Sequence, residues 1–240
     1  MHPDTVQKIL DLNRQFYQTF AVQFSATRQR LQPGVIRLLP SLLKAQSILD
    51  LGCGNGELAH QLGDERYTGR YVGLDFSPGL LDIIEKSPPT GLQASFFQAD
   101  LSESSWGSAL QGQAFDAILA LAVLHHLPGE ALRRQILRQV HSLLAPKGVF
   151  LFSNWQFLSS ERLRQRIQPW EKAGLSEAQV DPGDYLLDWR SGGTGLRYIH
   201  HFQLAELTEL AKETSFTVLE TFHSDGENER LSLYQVWQAA

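Results

Sequence analysis

A glycine-rich turn follows the first predicted strand of the chain, and it constrains the fold more than any other feature. Residues 47–51 read SILDL, a short apolar run typical of a buried strand, and residues 52–56 read GCGNG. A helical pattern begins at Glu57. The glycines let the backbone turn sharply and approach a ligand without a Cβ in the way. The order of strand, glycine turn and helix predicts an α/β domain with a ligand site at the turn.

Strand and helix patterns alternate after this turn. Further strands are predicted at Tyr71–Asp75, Ala94–Gln98, Phe115–Leu121 and Gly148–Ser153, and helices at Glu57–Leu62, Pro78–Lys86 and Glu130–Leu144. Strands separated by helices form a parallel sheet with right-handed crossovers. The last two predicted strands, Phe216–Phe222 and Leu231–Gln238, are joined by a polar loop and indicate an antiparallel hairpin. We therefore expect a seven-stranded, mostly parallel, doubly wound α/β sheet that ends in an antiparallel hairpin.

Two segments lie outside this alternation. Residues 1–45 are predicted to form a helical N-terminal segment. Residues 155–200 contain a polar, glycine-rich stretch, which we interpret as an inserted lobe or lid over the site rather than a separate domain. We expect residues 1–240 to form a single domain.

Composition and charge exclude several classes of protein. The single cysteine, Cys53, excludes an internal disulfide and favours a reducing compartment. The first residues lack the apolar core of a signal peptide, and no apolar run reaches the roughly 18 residues that span a bilayer. We expect a cytoplasmic protein without a membrane partner. A net charge of −5 argues against a broad basic face that coats nucleic acid, and the lack of a cysteine cluster argues against a metal site.

Acidic side chains end three successive predicted strands. Asp50, Asp75 and Asp100 should meet at the carboxyl edge of the sheet, where open α/β sheets bind their ligands. Asp50 can hold an ammonium group, Asp75 can accept from both hydroxyls of a ribose, and Asp100 can accept from the exocyclic amine of adenine. Phe76 could pack on the adenine, and the Leu101 amide could meet a ring nitrogen. We expect Ser77 to cap the following helix, which would leave Asp75 for the ligand.

The glycine spacing separates two classes of nucleotide ligand. A dinucleotide enzyme favours G-x-G-x-x-G, whereas the third glycine here comes one residue early and a carboxylate precedes the turn. That carboxylate would repel a pyrophosphate but attract the methionine ammonium of S-adenosylmethionine. We therefore add four residues to the predicted cofactor-binding residues. They are the glycines of the turn, Gly52, Gly54 and Gly56, and the last residue of the fourth predicted strand, Leu121.

These motifs resemble those of the class I S-adenosylmethionine-dependent methyltransferases. DLGCGNG is similar to their first motif, YVGLD to the segment with the ribose-binding acid, and QADL to the adenine motif. FDAILALAVLHHL is similar to their fourth strand, and LLAPKGVFLFSNW to their usual turn and fifth strand. The resemblance covers residues 46–155 and implies an enzyme that uses S-adenosyl-L-methionine as its cofactor.

Further segments narrow the resemblance. FSATR, AVLHHL, GDYLLDWR and RYIH are similar to segments of the tRNA wobble-uridine methyltransferases that esterify 5-carboxymethyluridine. This resemblance implies tRNA as a partner and a small activator subunit as another. It also implies that cationic side chains in the matching segments place the methyl acceptor, namely Arg28, Arg190 and Arg197. At least one of the adjacent histidines His125 and His126 would contact the acceptor or the methyl group.

Three functions remain open from the sequence. The first is methylation of a carboxylate or heteroatom of a modified tRNA uridine. The second is methylation of a small molecule, with the same cofactor pocket but a closed, mostly apolar acceptor cavity. The third is an inert methyltransferase-like binding subunit. The intact glycine turn and the three acids argue against this third function.

Overall fold

The computed structural model describes residues 1–27 and 30–239 of the chain. The helices are α1 (Pro3–Ala26), α2 (Pro33–Leu42), α3 (Glu57–Asp64), α4 (Pro78–Lys86), α5 (Glu130–Leu143), α6 (Glu161–Arg164) and α7 (Leu204–Glu213). The strands are β1 (Ser47–Leu51), β2 (Arg70–Asp75), β3 (Gln93–Gln98), β4 (Phe115–Leu121), β5 (Leu144–Trp155), β6 (Ile167–Gln168), β7 (Asp184–Trp189), β8 (Gly195–His200), β9 (Phe216–Ser224) and β10 (Ser232–Ala239). Within these ranges, no helix is both long enough and apolar enough to cross a membrane.

The main sheet has seven strands in the order β3-β2-β1-β4-β5-β10-β9. The first five strands are parallel, and β10 pairs antiparallel with both β5 and β9. This confirms the predicted mostly parallel sheet with a C-terminal antiparallel hairpin. The strand order reverses its direction between β1 and β4, and the crevice at such a reversal is where open α/β sheets bind ligands.

Apolar side chains cover both faces of the sheet, which confirms the doubly wound arrangement. On one face, Phe150 and Trp237 pack with residues of α5 and α7. On the other face, Ile48 and Leu151 pack with residues of α2 and α3. Phe150 and Leu151 are adjacent in β5 and belong to opposite faces, as the two-residue period of a strand requires. Each such fully buried side chain contributes about 1.5–3 kcal/mol to the hydrophobic stabilisation.

The junction between α5 and β5 differs from the prediction. The helix ends at Leu143, one residue earlier than expected, and the strand begins at Leu144 rather than Gly148. Leu144 pairs with Phe115 and Val149 pairs with Ala117, with an irregularity between the two pairs. Lys147 has a φ of 65°. The APKG segment is therefore a distortion at the start of β5, because tertiary pairing to β4 extends the strand beyond its apolar run.

Residues 155–200 form a second, three-stranded antiparallel sheet in the order β6-β7-β8. The sequence predicted a polar lobe here but not its strands, because two of the three strands surround the glycine-rich turn at 190–194. Helix α1 packs on β8 and on α4, so it contacts both this sheet and the main body.

A buried ionic cluster ties this second sheet to α7. The His200 ring has Nδ1 2.6 Å from the Asp184 carboxylate and Nε2 2.9 Å from the Glu206 carboxylate. Burial lowers the pKa of His200, but the hydrogen bonds to Asp184 and Glu206 outweigh it and raise the pKa. The Tyr198 hydroxyl donates to the same Asp184 oxygen at 2.7 Å. These contacts fix β8, the strand that carries Arg197, against the main body.

Candidate functional site

A cavity of about 280 Å³ lies at the carboxyl edge of the main sheet, where the topology predicts a ligand site. Its walls come from β1, β2 and β4 and the turns that follow them, together with α1 and β8. It brings together most of the site residues predicted from the sequence, namely Asp50, Gly52, Gly54, Asp75, Phe76, Asp100, Leu101, Leu121, His125, His126 and Arg197.

The glycine turn has the left-handed backbone that its sequence predicts. Gly52 has a φ of 74°, and a Cβ there would lie 2.5 Å from a methyl carbon of Val123. Gly54 has a φ of 59°, and a Cβ there would meet no described atom within 4 Å, so this part of the turn opens into the cavity. Gly56 does not line the cavity. It precedes α3 with a φ of 78°, and a Cβ there would lie 3.1 Å from a side-chain carbon of Ile84.

Two buried carboxylates face the cavity beside this turn. Asp50 is 3% exposed and accepts a hydrogen bond of 2.6 Å from the Tyr71 hydroxyl. The two oxygens of Asp75 accept from the backbone N–H of Ser77 at 2.8 Å and of Gly54 at 2.9 Å. Ser77 occupies the N-cap position of α4, as predicted, but its hydroxyl makes no capping hydrogen bond, and its N–H donates to the Asp75 carboxylate.

Burial makes both carboxylates unfavourable as anions. It raises the pKa of Asp50 to about 6, against the hydrogen bond from Tyr71, and the nearby charge of Asp75 raises it further. Burial also raises the pKa of Asp75 to about 6, although backbone hydrogen bonds from Ser77 and Gly54 oppose it. A cationic ligand group placed between these acids would restore their ionisation. This end of the cavity therefore favours an ammonium over a phosphate.

The third acid has a different environment. Asp100 accepts from the Ser102 N–H at 2.8 Å and from the Ser102 hydroxyl at 2.6 Å, and Arg14 Nε donates to it at 2.7 Å. Burial raises the pKa of Asp100, but the hydrogen bonds from Ser102 and Arg14 outweigh it, and the pKa lies below its usual value. Asp100 is therefore an ionised acceptor whose charge is already neutralised by the protein.

Five side chains of the cavity wall and the neighbouring Phe16 form a closed ring, which we call the aromatic collar. Neighbouring members contact each other, with ring-centroid distances from 4.3 Å for His125–His126 to 6.5 Å for His125–Trp155. The Arg197 guanidinium carbon lies 4.6 Å from the Trp155 ring centroid and 5.6 Å from that of Phe16, which closes the ring. In order around the ring, the collar is Phe16, Tyr17, His126, His125, Trp155 and Arg197.

A strained turn places the two histidines in the collar. Ala122 directly follows β4 with a φ of 57°, a conformation that costs about 1–2 kcal/mol for a residue with a Cβ. Its N–H donates to the Ser153 carbonyl at 3.1 Å and to the Ser153 hydroxyl at 3.0 Å, which holds the turn. The chain then enters a short 3₁₀ helix, Leu124–His126, which carries both imidazoles to the cavity wall.

The hydrogen bonds of the collar assign roles to the ring nitrogens. His126 Nδ1 lies 3.2 Å from the Tyr198 carbonyl oxygen, and Nε2 lies 2.7 Å from the Tyr17 hydroxyl. Because a carbonyl only accepts, Nδ1 of His126 carries a hydrogen. His125 Nδ1 accepts from the backbone N–H of Trp155 at 3.3 Å, which puts the hydrogen of its neutral ring on Nε2. The two adjacent rings therefore have opposite tautomers when neutral.

Two predicted acceptor residues are not part of this arrangement. Arg190 does not line the cavity: its side chain is 60% exposed and its guanidinium pairs with Asp188 at 2.7 Å. The structure thus places Arg190 at the surface, paired with its neighbour in sequence, rather than on the wall of the cavity. Arg28 lies outside the described residues.

Helix α1 supplies site residues that sequence reasoning missed. Asn13, Arg14 and Tyr17 line the cavity from one face of the helix. Asn13 Oδ1 accepts from the Tyr198 N–H at 2.8 Å, and its Nδ2 donates to the His126 carbonyl at 3.0 Å. Polar side chains at i, i+1 and i+4 on the inward face of a predicted helix were the available signal.

The sequence of this chain is similar to those of methyltransferases. The methyltransferase domain family matches residues 24–221. A methyltransferase-family protein of Encephalitozoon cuniculi is 30% identical over 206 residues, which cover 85% of this chain and 87% of that protein. The tRNA (carboxymethyluridine(34)-5-O)-methyltransferase of Schizosaccharomyces pombe is 26% identical over 223 residues, 86% of this chain and 89% of that protein.

Other relatives are much longer than this chain. The tRNA (carboxymethyluridine(34)-5-O)-methyltransferase ALKBH8 of Macaca fascicularis is 30% identical over 141 residues, which cover 59% of this chain but 19% of that protein. Among solved structures, the 1,6-didemethyltoxoflavin-N1-methyltransferase of Burkholderia thailandensis, with bound S-adenosylhomocysteine, matches with a TM-score of 0.64 at 20% identity. That match covers 100% of this chain and 91% of the other, and at this identity it shows the shared fold alone.

The raised pKa of Asp50 predicts that this acid destabilises the unliganded protein. Its penalty is absent below the ordinary pKa near 4 and develops as the pH rises through about 6. We expect Asp50→Asn to increase the free energy of unfolding at pH 7.5 by about 1–3 kcal/mol, and to change it little at pH 4. Urea unfolding at both pH values would measure this difference.

Asp100→Asn is the matched control, with the opposite expected sign. The pKa of Asp100 is lowered, so its ionised form stabilises the fold above pH 4, and that contribution is lost as the pH falls. We expect Asp100→Asn to decrease stability at pH 7.5. Equal effects of the two variants at neutral pH would contradict the contrast between the two acids.

Proposed function

Because this chain belongs to the methyltransferase domain family and is a class I S-adenosylmethionine-dependent methyltransferase, we propose that its acceptor is a carboxylate on a modified uridine of tRNA. The observation that carries this proposal is the position of Arg197. Its guanidinium lies among aromatic rings on the wall of the same cavity that holds the three acids. The printed names of relatives that act on carboxymethyluridine point to the same acceptor chemistry.

The three acids would hold the cofactor in the order of the strands. Asp50 would accept from the methionine ammonium. Each Asp75 oxygen accepts one backbone N–H, so each keeps a lone pair for a ribose hydroxyl. Asp100 would accept from the adenine amine through Oδ2, and the Leu101 amide would meet a ring nitrogen. The space above Gly54 and the two buried acids that require a cation both fit this ligand.

The chemistry requires placement more than proton transfer. The bound cofactor supplies an electrophilic methyl group on a sulfonium. An acceptor carboxylate is already anionic at neutral pH and needs no general base. One of its oxygens forms a bond to the methyl carbon as the carbon–sulfur bond breaks, and the bonding electron pair stays on sulfur. The contribution of the protein is then to hold the nucleophile in line, for which proximity alone is worth about 7–11 kcal/mol.

Arg197 is the residue we assign to this placement. A guanidinium can hold a carboxylate through two parallel hydrogen bonds. The contacts with Trp155, Phe16 and Trp189, at 4.6, 5.6 and 5.4 Å, orient the guanidinium on the cavity wall. Burial of Arg197, which is 5% exposed, strengthens its attraction for an anion.

The aromatic collar suits a planar base. A single-stranded base that turns out of its stack is commonly held between aromatic side chains. The rings of Tyr17 and Trp155 line the cavity on either side of the two histidines. A uracil ring placed there would present a carboxymethyl group at its 5 position to Arg197. A compact aromatic acid would satisfy the same contacts, so the acceptor assay must include small molecules.

Transfer of tritiated methyl groups from S-adenosylmethionine tests the proposal. Total tRNA and a small-metabolite extract are offered separately, each with and without a cell lysate that supplies an activator subunit, and the products are treated with mild base. Counts that are released from tRNA by base support a methyl ester on a tRNA carboxylate. Counts in the extract alone would favour a small acceptor, and stable counts in tRNA would contradict the carboxylate.

The role of Arg197 predicts a selective loss of turnover. We expect Arg197→Ala to lower kcat/KM for the acceptor roughly 10- to 150-fold, the effect of one lost hydrogen bond to a charged group. The Kd for S-adenosylmethionine, measured by calorimetry, should change less than twofold. Arg190→Ala is the control, because this exposed arginine lies in the same lobe but away from the cavity. Equal losses of kcat/KM in both variants would contradict the assignment of Arg197 to the acceptor.

The raised pKa values of Asp50 and Asp75 predict proton-linked cofactor binding. Both acids must ionise to hold the cofactor, so its Kd should fall as the pH rises from 5 to 7, by up to roughly tenfold per pH unit for each group. Calorimetry at pH 6 in two buffers of different ionisation enthalpy would measure the protons released. Methylthioadenosine, which lacks the ammonium, should release fewer. Equal proton release by the two ligands would exclude Asp50 as the ammonium site.

A further inference from the structure

We infer that His200 is a positioning residue for methyl transfer, which acts as a buried imidazolium between two carboxylates and holds the acceptor side of the cavity in place. The inference rests on the proposed function, because the strand that His200 fixes, β8, also carries Arg197. His200 is 2% exposed and does not line the cavity, so it acts through the residues that do.

Both nitrogens of the His200 ring face carboxylate oxygens. Nδ1 lies 2.6 Å from Asp184 and Nε2 lies 2.9 Å from Glu206. An ionised carboxylate only accepts hydrogen bonds, and a neutral imidazole has a single N–H. A neutral ring would therefore turn a lone pair toward one of the two carboxylates, whereas an imidazolium donates to both. Burial lowers the pKa of His200, but the hydrogen bonds to Asp184 and Glu206 outweigh it and raise the pKa.

The charged side chains around His200 balance when its ring carries a proton. Among the described residues, Asp184 from β7 and Glu206 from α7 each bring a negative charge to the ring. Arg133 from α5 brings one positive charge, with its Nη2 3.5 Å from Glu206. The imidazolium is the second positive charge. Loss of its proton would leave two buried carboxylates with one cation, which is unfavourable where little water screens them.

The other titratable groups beside this cluster do not change the balance. Burial lowers the pKa of His201, and the charge of His200 lowers it further, so this neighbour is neutral at pH 7. Burial raises the pKa of the Tyr198 hydroxyl well above its usual value, and this neutral hydroxyl donates to Asp184 at 2.7 Å. The Asp181 carboxylate faces the amino group of Met1 at 2.9 Å rather than the His200 ring.

Packing keeps the ring between its two partners. The Phe202 ring contacts it edge-on, with a centroid distance of 4.6 Å. On the other side, a Cβ at Gly183, whose φ is 91°, would lie only 3.1 Å from Cε1 of His200. The ring is thus held by close contacts as well as by its hydrogen bonds, and a change in its charge acts on a fixed geometry.

The cluster joins two segments that line the acceptor side of the cavity. One is β8, which ends at His200 and carries Arg197. The other is the 3₁₀ helix with the two adjacent histidines, which Leu127 directly follows, and Arg133 Nη1 donates to the Leu127 carbonyl at 3.1 Å. Glu206 contacts both His200 and Arg133, so it links the two segments. The charge of His200 therefore sets how firmly Arg197 is held relative to the histidines.

Spectra of the wild-type protein test the charge of His200 directly. The ¹⁵N shifts of ¹⁵N-labelled histidine distinguish an imidazolium from a neutral ring, and His200→Gln assigns the signal. We expect His200 to be mostly an imidazolium at pH 7, where a histidine with the ordinary pKa near 6.5 is mostly neutral. In Glu206→Gln we expect the ring to lose its proton at lower pH. A wild-type His200 that is mostly neutral at pH 7 would overturn the inference.

A second substitution separates the charge of His200 from its packing. His200→Gln keeps a hydrogen-bond donor but removes the cation. We expect it to lower kcat/KM for the acceptor roughly 10- to 100-fold at pH 7, the effect of a displacement of about 1 Å at the reacting atoms. Addition of Glu206→Gln removes the excess negative charge, so the double variant should recover most of this loss and of the lost thermal stability. Losses that simply add in the double variant would make His200 a packing residue.

The pH profile gives a further readout, for which His201→Gln is the matched control. The stabilising effect of the imidazolium is present below pH 6.5 and is lost as the pH rises through the raised pKa of His200. We expect wild-type kcat/KM to fall over that range up to pH 9, and His200→Gln to have a level profile. His201, whose ring packs on Phe157, should be replaceable with the wild-type rate and profile retained. The same profile in wild type and His200→Gln would contradict the inference.

These outcomes are distinct from that of the acceptor assay. The Kd for the cofactor should change less than about twofold in His200→Gln, because the cluster lies behind the acceptor side. If tRNA accepts no methyl group, the proposed acceptor fails, and the profiles are then measured on the small acceptor. The spectra and the thermal stability of the double variant need no acceptor, so they support or overturn the role of the imidazolium even then.

Discussion

The burial of Asp50 and Asp75 at the carboxyl edge of the sheet is the constraint on which the rest of the site depends. The glycine turn brings the Gly54 N–H to Asp75, and Tyr71 reaches Asp50 from the neighbouring strand. These contacts satisfy some of the carboxylate lone pairs but do not offset the loss of hydration, and the pKa of each acid rises to about 6. Folding therefore raises the free energy of the two ionised carboxylates, and a cationic ligand can lower it again. Sites that are arranged for ligands commonly reduce the stability of the unliganded fold in this way.

The charge that the site favours differs along the sheet edge, and at each end it matches the charge of the ligand group proposed to lie there. At the β1 and β2 end, the buried acids favour a cation, and the ammonium and sulfonium of S-adenosylmethionine would lie there. At the β3 end, Arg14 and Ser102 already stabilise the Asp100 carboxylate, and the adenine is neutral. Asp100 can then accept a hydrogen bond without requiring a positive charge. A ligand with a phosphate at the glycine turn would meet the reverse of this pattern, so the electrostatics distinguish the two nucleotide classes more firmly than the glycine spacing does.

The parts of the structure that the sequence predicted are those specified by local patterns. Apolar strands with acids at their ends, and helices between most of these strands, predict the sheet, and the meeting of the three acids follows from its topology. The packing of Gly56 against Ile84 and the hydrogen bond from the Ser77 N–H to the Asp75 carboxylate were not predicted, because these partners approach only in the folded chain. The same reason explains the unexpected strands of residues 155–200, where β7 and β8 pair across a polar turn. Arg190 and Arg197 lie in equally plausible sequence contexts, and they are separated by the burial of Arg197 on β8 and by the pairing of Arg190 with Asp188 at the surface.

Helix α1 joins the two halves of the site, which the sheet alone would leave independent. Within five residues, Asn13 binds the backbone of β8, Arg14 binds the acid of the adenine end, and Tyr17 binds the histidine of the aromatic collar. Because one helical segment, residues 13–17, makes all three contacts, a displacement of this segment that opens the adenine end would also release His126. Cofactor that occupies the adenine end in contact with Arg14 would favour the helix position in which the collar is assembled. The energetic coupling between the two ligands would then run through this helix, and by linkage the acceptor would strengthen cofactor binding by the same factor.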